Sequence, residues 1–323
     1  MKRFVPSLVC AALLALPCLA RAAELPTWAY PQPVPGARSP MPPDDGKPKR
    51  VPDSAAEFTR AQITARGAPV TDWHPEEHPP MPDIVSKAKT NPPLLACGYC
   101  HLPTGAGRPE NSSISGLSPT YFKQQVLAFK NGERPGSDPK RGPQNNMIAV
   151  AKAATDAEIE EAAAYFAKLK PVSFHKIIET DTVPKTFVAG GLYAKHPDGG
   201  TEPLGNRIME IPEELERFEL RDSRTPYFIY VPVGSLKKGA ELVATGGGGK
   251  TLQCAICHGP DQKGLADIPR LAGRSPSYLM RQLYDLKNGT RTGGQSVLMK
   301  AVVANLAADD MLAIVAYLAS LPP

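Results

Sequence analysis

Beyond its first twenty residues the chain has no apolar run approaching the eighteen or so residues that a membrane helix needs, so no spanning segment is expected after that stretch. It has no block of lysine and arginine of the kind that grips phosphates, and nucleic acid is therefore not an expected ligand. Charge of one sign is scarce as well: 37 basic against 32 acidic side chains in 323 residues leave a formal +5, a balance that names no partner. Tryptophan is nearly absent, with only Trp28 and Trp73. What remains, 42% hydrophobic and 21% charged residues, is the composition of a folding chain, and the length allows two domains.

Residues 1–22 read as an export leader. Lys2 and Arg3 precede an apolar run from Phe4 to Ala20, and Ala20-Arg21-Ala22 fits the small-x-small pattern of a cleavage site, so the mature chain is expected to start at Ala23. Its loss takes three bases and no acids and lowers the formal charge to +2, 34 basic against 32 acidic. Neither Cys10 nor Cys18 lies in the small-residue context of a lipid-modified cysteine.

Four cysteines remain, and they sit in two five-residue words: Cys97-Gly98-Tyr99-Cys100-His101 and Cys254-Ala255-Ile256-Cys257-His258. C-x-x-C-H is the spelling of a covalent haem site. On a helical turn positions i and i+3 face the same way, so each cysteine pair can form thioethers to one porphyrin edge while the next residue offers an imidazole to the iron. A dithiol or disulfide leaves the histidine without a task, twice. Zinc would need the two pairs joined over more than 150 residues with two histidines to spare.

The words are 157 residues apart, and the same offset aligns Ser118-Pro119-Thr120-Tyr121 with Ser275-Pro276-Ser277-Tyr278. Across 118–136 and 275–293, nine of nineteen positions are identical, among them Gln125/Gln282, Lys130-Asn131-Gly132/Lys287-Asn288-Gly289 and Arg134/Arg291. Each copy predicts a helix capped by Ser, opened by Pro and ended by Gly. Each also ends in a second helix. In the first copy it starts at the capping box Thr155-Asp156-Ala157-Glu158 and shows the stripe Ile159, Ala162, Phe166, Leu169; in the second the stripe is Met311, Ile314, Val315, Leu318, Leu321. Eight residues before Thr155 and before the equivalent Ala307 stand Met147 and Met299, read as loop residues that offer a thioether to the iron opposite the histidine. Met280 and Met311, embedded in helical stripes, read as core.

With these motifs the sequence resembles the class I c-type cytochromes, and within them bacterial periplasmic proteins that join two such domains in one chain. The resemblance covers about 80–171 and 235–323, and implies a mainly α fold: two class I cytochrome c domains in tandem, a small β or irregular insertion at 172–234, and a proline-rich arm at 23–79 with nine prolines in 24–52. It implies two covalently bound haem c groups, attached at Cys97, Cys100, Cys254 and Cys257, with His101 and Met147, and His258 and Met299, as axial ligands. In that family a proline carbonyl holds the axial histidine. Pro269 looks like that residue; its counterpart is Ser112, so the first histidine is expected to be held differently. Tyr121, Tyr278, Arg134 and Arg291 are candidates to reach haem propionates, with helix-packing tyrosines and solvated arginines the plainer alternative.

Other features are weaker. Residues 244–251, Ala-Thr-Gly-Gly-Gly-Gly-Lys-Thr, nearly spell a phosphate loop, but the first glycine is missing and Cys254 follows too soon for the helix that should come next, so the glycines read as a turn after a helix near 235–245. His74 and His78 have metal-ligand spacing, yet prolines 75, 79 and 80 make a regular helix improbable and the stretch reads as a surface loop. His175 and His196 are isolated. Runs at 186–188, 217–220 and 227–231 look like strands. Trp28 and Trp73 are expected to pin the arm to the body.

The function these readings imply is single-electron shuttling in the periplasm through two His/Met-ligated haems, between redox protein partners such as a dehydrogenase donor and an oxidase or reductase acceptor. The alternative is the cytochrome subunit of a dehydrogenase complex. A dihaem peroxidase ranks behind both, because it needs an iron with an open site and each repeat offers a methionine.

Overall fold

The computed structural model describes residues 25–32, 44–90, 93–189 and 191–323. The expected leader, the expected start at Ala23 and part of the proline-rich arm lie outside them. Two helical units carry the repeats. In the first, α1 (Arg60–Thr64) and α2 (Asp83–Ser86) precede a short antiparallel pair, β1 (Lys89–Thr90) and β2 (Pro93–Leu94), then α3 (Cys97–His101), α4 (Pro119–Lys130), α5 (Gly142–Ala153) and α6 (Asp156–Ala167). Between the units run β3 (His175–Glu179), β4 (Thr182–Pro184), β5 (Thr186–Ala189), β6 (Leu192–Lys195), β7 (Thr201–Pro203), β8 (Met209–Pro212), α7 (Leu215–Glu219) and β9 (Tyr227–Val231). The second unit has α8 (Ser235–Thr245), α9 (Ala255–His258), α10 (Pro276–Lys287), α11 (Ser296–Val303) and α12 (Ala308–Ser320).

Local chemistry sets these boundaries. Ser118 Oγ accepts from Tyr121 N, and Ser275 Oγ from Tyr278 N; each helix opens on Pro and closes where Gly132 or Gly289 takes a left-handed φ, +76° and +72°. The Thr155/Glu158 capping box forms and starts α6. The stripe of α6 is buried with Phe122, Val126 and Phe129 of α4 in one core; the stripe of α12, with Met280 and Met311, is buried against Leu242 and Val243 of α8 in another. Leu321 alone of the two stripes is only partly buried. The glycine run follows α8 as read: Gly246, Gly247, Gly248 and Gly249 all have positive φ, which only glycine adopts four times in succession without strain.

The intervening strands form a three-stranded sheet in the order β3-β9-β8, with β3 parallel to β9 and β8 antiparallel to it, plus the pairs β4/β7 and β5/β6. A parallel pair needs a long crossover, and residues 180–226 supply it. Ile208, Ile229 and Val231 reach into the second unit's core, as do Trp28, Ala29 and Tyr30. Trp73 packs instead with Val51, Ile63 and Leu220, its indole N–H donating to Leu220 O at 2.6 Å.

Two readings are corrected here. The 217–220 run is helical, in α7 and its cap: a helical turn sends Phe218 into a cluster with Leu192 and Ala194 and Leu220 into another with Val51, Ile63 and Trp73, while Glu216 and Glu219 pair with Arg60. The 74–78 stretch is not a surface loop: Pro75–Glu77 is a 3-10 turn, and His74 is fully buried with its Nε2 3.0 Å from Asp222 Oδ1.

Candidate functional site

Each C-x-x-C-H word forms a single helical turn and is followed by a residue with positive φ, Leu102 at +64° and Gly259 at +80°. Glycine takes that turn freely; leucine carries the strain and is offset by full burial of its side chain. The chain then folds back on the histidine. Gly107 N donates to His101 O and Gly264 N to His258 O, at 3.0 and 2.8 Å. A Cβ on Gly107 would lie 2.5 Å from Ser112 O, and one on Gly264 2.7 Å from Ile268 O. These two glycines were not singled out from the sequence, although the 157-residue offset relates them.

The return brings a carbonyl to each imidazole: His101 Nδ1 lies 2.7 Å from Ser112 O, and His258 Nδ1 2.7 Å from Pro269 O. A carbonyl only accepts, so Nδ1 carries the proton and Nε2 keeps its lone pair. Burial lowers the pKa of both rings against the opposing pull of those carbonyls, and the neutral form is the one that binds a metal. The expectation that Ser112 holds His101 differently is overturned: the bond comes from the backbone, which serine provides as well as proline.

No disulfide joins Cys97, Cys100, Cys254 or Cys257. Burial pushes Cys97 up to about 12 and Cys254 up to about 11, and raises Cys100 too, so none of the three is an activated thiolate nucleophile. Met147 and Met299 do not lie on loops. They sit within α5 and α11, partly buried against the cores of their own units. Pro143 at the start of α5 and the apolar faces of both segments make them helical.

In the first unit Cys97, Cys100, His101 and Met147 line one cavity, open to solvent, whose walls include Ile114, Phe122, Val126 and Ile159. Its inner end is formed by both units, with Tyr121, Arg134 and Arg141 from one and Arg274, Tyr278 and Arg281 from the other. Here equivalent residues meet. Arg134 donates to Gln125 and Gln282; Arg291 donates to Gln282, Gln125 and the Tyr121 hydroxyl, at 2.7–3.1 Å throughout. Arg134 and Arg291 are therefore not solvated surface groups.

This end is rich in cations. Burial works against a charged Tyr278, but Arg274, Arg134 and Arg291 outweigh it and pull the phenol below its usual range. Arg274, which lines this end, has Nε and Nη2 buried with no hydrogen-bond partner. Buried guanidinium nitrogens without a partner beside an apolar slot fit a flat apolar group with anionic substituents, which describes a haem with its propionates.

The sequence of the second unit agrees with that geometry: the model of the family described as cytochrome c matches residues 236–322. Cytochrome c-554(548) of Halomonas halodenitrificans is 38% identical over 78 residues, 94% of its own length and 24% of this chain. The chain belongs to the cytochrome c family. Longer matches span both units. Cytochrome c4 of Azotobacter vinelandii is 26% identical over 230 residues, 70% of this chain and 84% of that protein. The thiosulfate dehydrogenase electron acceptor of Thiomonas intermedia is 26% identical over 243 residues, 74% and 84% respectively. Membership carries covalently bound haem c as cofactor and one-electron transfer as function. Buried Arg270, Arg274 and Arg281 were missed from the sequence, because nothing in their local pattern distinguishes a buried arginine from a solvated one.

Proposed function

We propose that the protein carries two haem c groups, one bound through Cys97 and Cys100 with His101 and Met147 as axial ligands, the other through Cys254 and Cys257 with His258 and Met299. The observation that carries this reading is the matched pair of imidazoles, each with Nδ1 committed to a carbonyl eleven residues on and Nε2 free. Bound haem supplies an iron that cycles between Fe(II) and Fe(III). The chain's own residues fix the potential of that cycle: the Ser112 and Pro269 carbonyls orient the imidazoles and raise their basicity, the methionine thioethers favour the reduced state, and Arg134, Arg274 and Arg291 hold the propionates. No group in this scheme acts as acid, base or nucleophile, so the protein is a carrier and not a catalyst.

Its partners are redox proteins. The relative from Thiomonas is by name the electron acceptor of a thiosulfate dehydrogenase, which favours a dehydrogenase as donor here. Leu252, Ile256, Leu265, Val297 and Leu298, all exposed, flank the second unit's cysteines, histidine and methionine, and a small apolar rim of this kind suits a transient electron-transfer encounter. The leader at 1–22 supports action in the periplasm; among the described residues no single helix is long and apolar enough to cross a membrane. The mass of the purified protein is expected to exceed that of the chain from Ala23 by two haems that survive acid-acetone extraction. One haem, or extractable haem, refutes the assignment.

A further inference from the structure

The two units touch at the segments that hold the axial histidines. Pro269, whose carbonyl accepts from His258, is followed by Arg270; Ser112, whose carbonyl accepts from His101, is followed by Ser113. Arg270 Nη2 donates to Ser113 Oγ at 2.7 Å, while its Nη1 donates to Ala272 O at 2.8 Å. Next to it Arg274 Nη1 reaches Ser112 Oγ at 3.3 Å. Both guanidinium groups are buried, Arg270 at 5% exposure and Arg274 at 4%. Arg270 and Ser113 are repeat equivalents, 157 residues apart, brought face to face.

We propose that the Arg270–Ser113 contact joins the two axial histidines into one coupled unit, so that each haem is tuned in part by a residue of the other half of the chain. The inference rests on His101 and His258 being the axial ligands. The path is short and continuous: imidazole, Ser112 carbonyl, Ser113 hydroxyl, Arg270 guanidinium, Pro269 carbonyl, imidazole. Each link between carbonyl and next residue is a planar peptide, so holding Ser113 or Arg270 in place fixes the direction of the carbonyl before it. A hydrogen bond from a charged donor is about twice as strong as a neutral one, and the donor here is buried. Arg270 also adds a fixed positive charge behind both histidines, which favours the more electron-rich state of either site. Burial and the neighbouring Arg274 lower its pKa to about 9, leaving it a cation at neutral pH. Arg270 is thus a positioning residue for His101 as well as for His258.

The test uses the dihaem protein, its two haems first counted by mass. Redox titration and proton NMR of the ferric form are compared for the wild type, Ser113→Ala and Arg270→Gln. Arg270→Gln is expected to lower both midpoint potentials, and Ser113→Ala, in the first unit, to shift the axial-imidazole resonances of the second haem together with those of the first. Arg270→Lys, which keeps the charge, is expected to recover most of the potential. Substitutions that each disturb only the haem of their own unit overturn the proposal. If Arg270→Gln does not fold, Ser113→Ala decides alone, since it removes one hydroxyl oxygen. A wild type with fewer than two haems overturns the ligand assignment and this proposal with it, and that result is read from the mass before any titration.

Discussion

At the scale of single residues, the same side chain does different work according to the element that carries it. Met299 and Met311 are twelve positions apart in one unit; the first is partly exposed on α11 beside exposed Val297 and Leu298, the second fully buried in α12. Met299→Ala is expected to lower the potential of one haem and to abolish one thioether-to-iron charge-transfer band. Met311→Ala is expected to cost about 2–5 kcal/mol in stability, the usual toll of a large-to-small change in a core, and to leave both bands in place. Near-infrared spectra and denaturant titrations of the two variants separate these outcomes; an unchanged spectrum in Met299→Ala refutes its role as ligand. The methionines were legible as candidate ligands from their shared distance to the terminal helix, but not as helical. The prolines, glycines and asparagines ahead of Met147 read as a loop, whereas packing of the 142–153 segment on the first core winds it into a helix.

At the scale of elements, α8 and α12 of the second unit pack tightly against each other. Gly239 lies inside α8, and a Cβ there would stand 2.0 Å from Ala313 O and 2.7 Å from Tyr317 Cβ. Its φ is ordinary, so the requirement is for space and not for conformation. Gly239→Ala forces the helices apart and is expected to destabilise the protein by about 1–3 kcal/mol, although alanine is the better helix former. Thermal unfolding of the holoprotein measures it, and an unchanged or raised Tm overturns the packing argument. The sequence marked α8 only as a helix near 235–245, since a lone glycine in a helical stretch does not announce which neighbour presses on it. The caps of α4, α6 and α10 were legible because they are made by residues three positions apart.

At the scale of the whole molecule, the repeats are alike in motif and unlike in surroundings. The first site opens into the shared cavity beside part-buried Arg141, whose pKa burial lowers to about 9, while in the second unit Cys257 is exposed. The segment from Asn131 to Met147 is also five residues longer than that from Asn288 to Met299. Charge and solvent access both tune a haem, so a redox titration is expected to resolve two one-electron steps, with Arg141→Gln lowering mainly one of them. A single step shared by two indistinguishable haems refutes the asymmetry. The exchange of Pro269 for Ser112 adds nothing to this asymmetry: both residues hold their histidines at the same distance, because the carbonyl is common to both.

The sequence by itself determined the chemistry, since C-x-x-C-H and its repeat at a fixed offset depend on residue types a few positions apart, and local geometry follows from local order. It also determined the helices that frame each site, through caps and stripes of the same short range. Only the tertiary structure decided that Arg134 and Arg291 face each other's repeat, that Arg270 reaches Ser113, and that His74 is buried on Asp222. Those contacts join residues some 150 positions apart, where the energy lies in burying and pairing charge between separate surfaces, and no local pattern records which surfaces will meet.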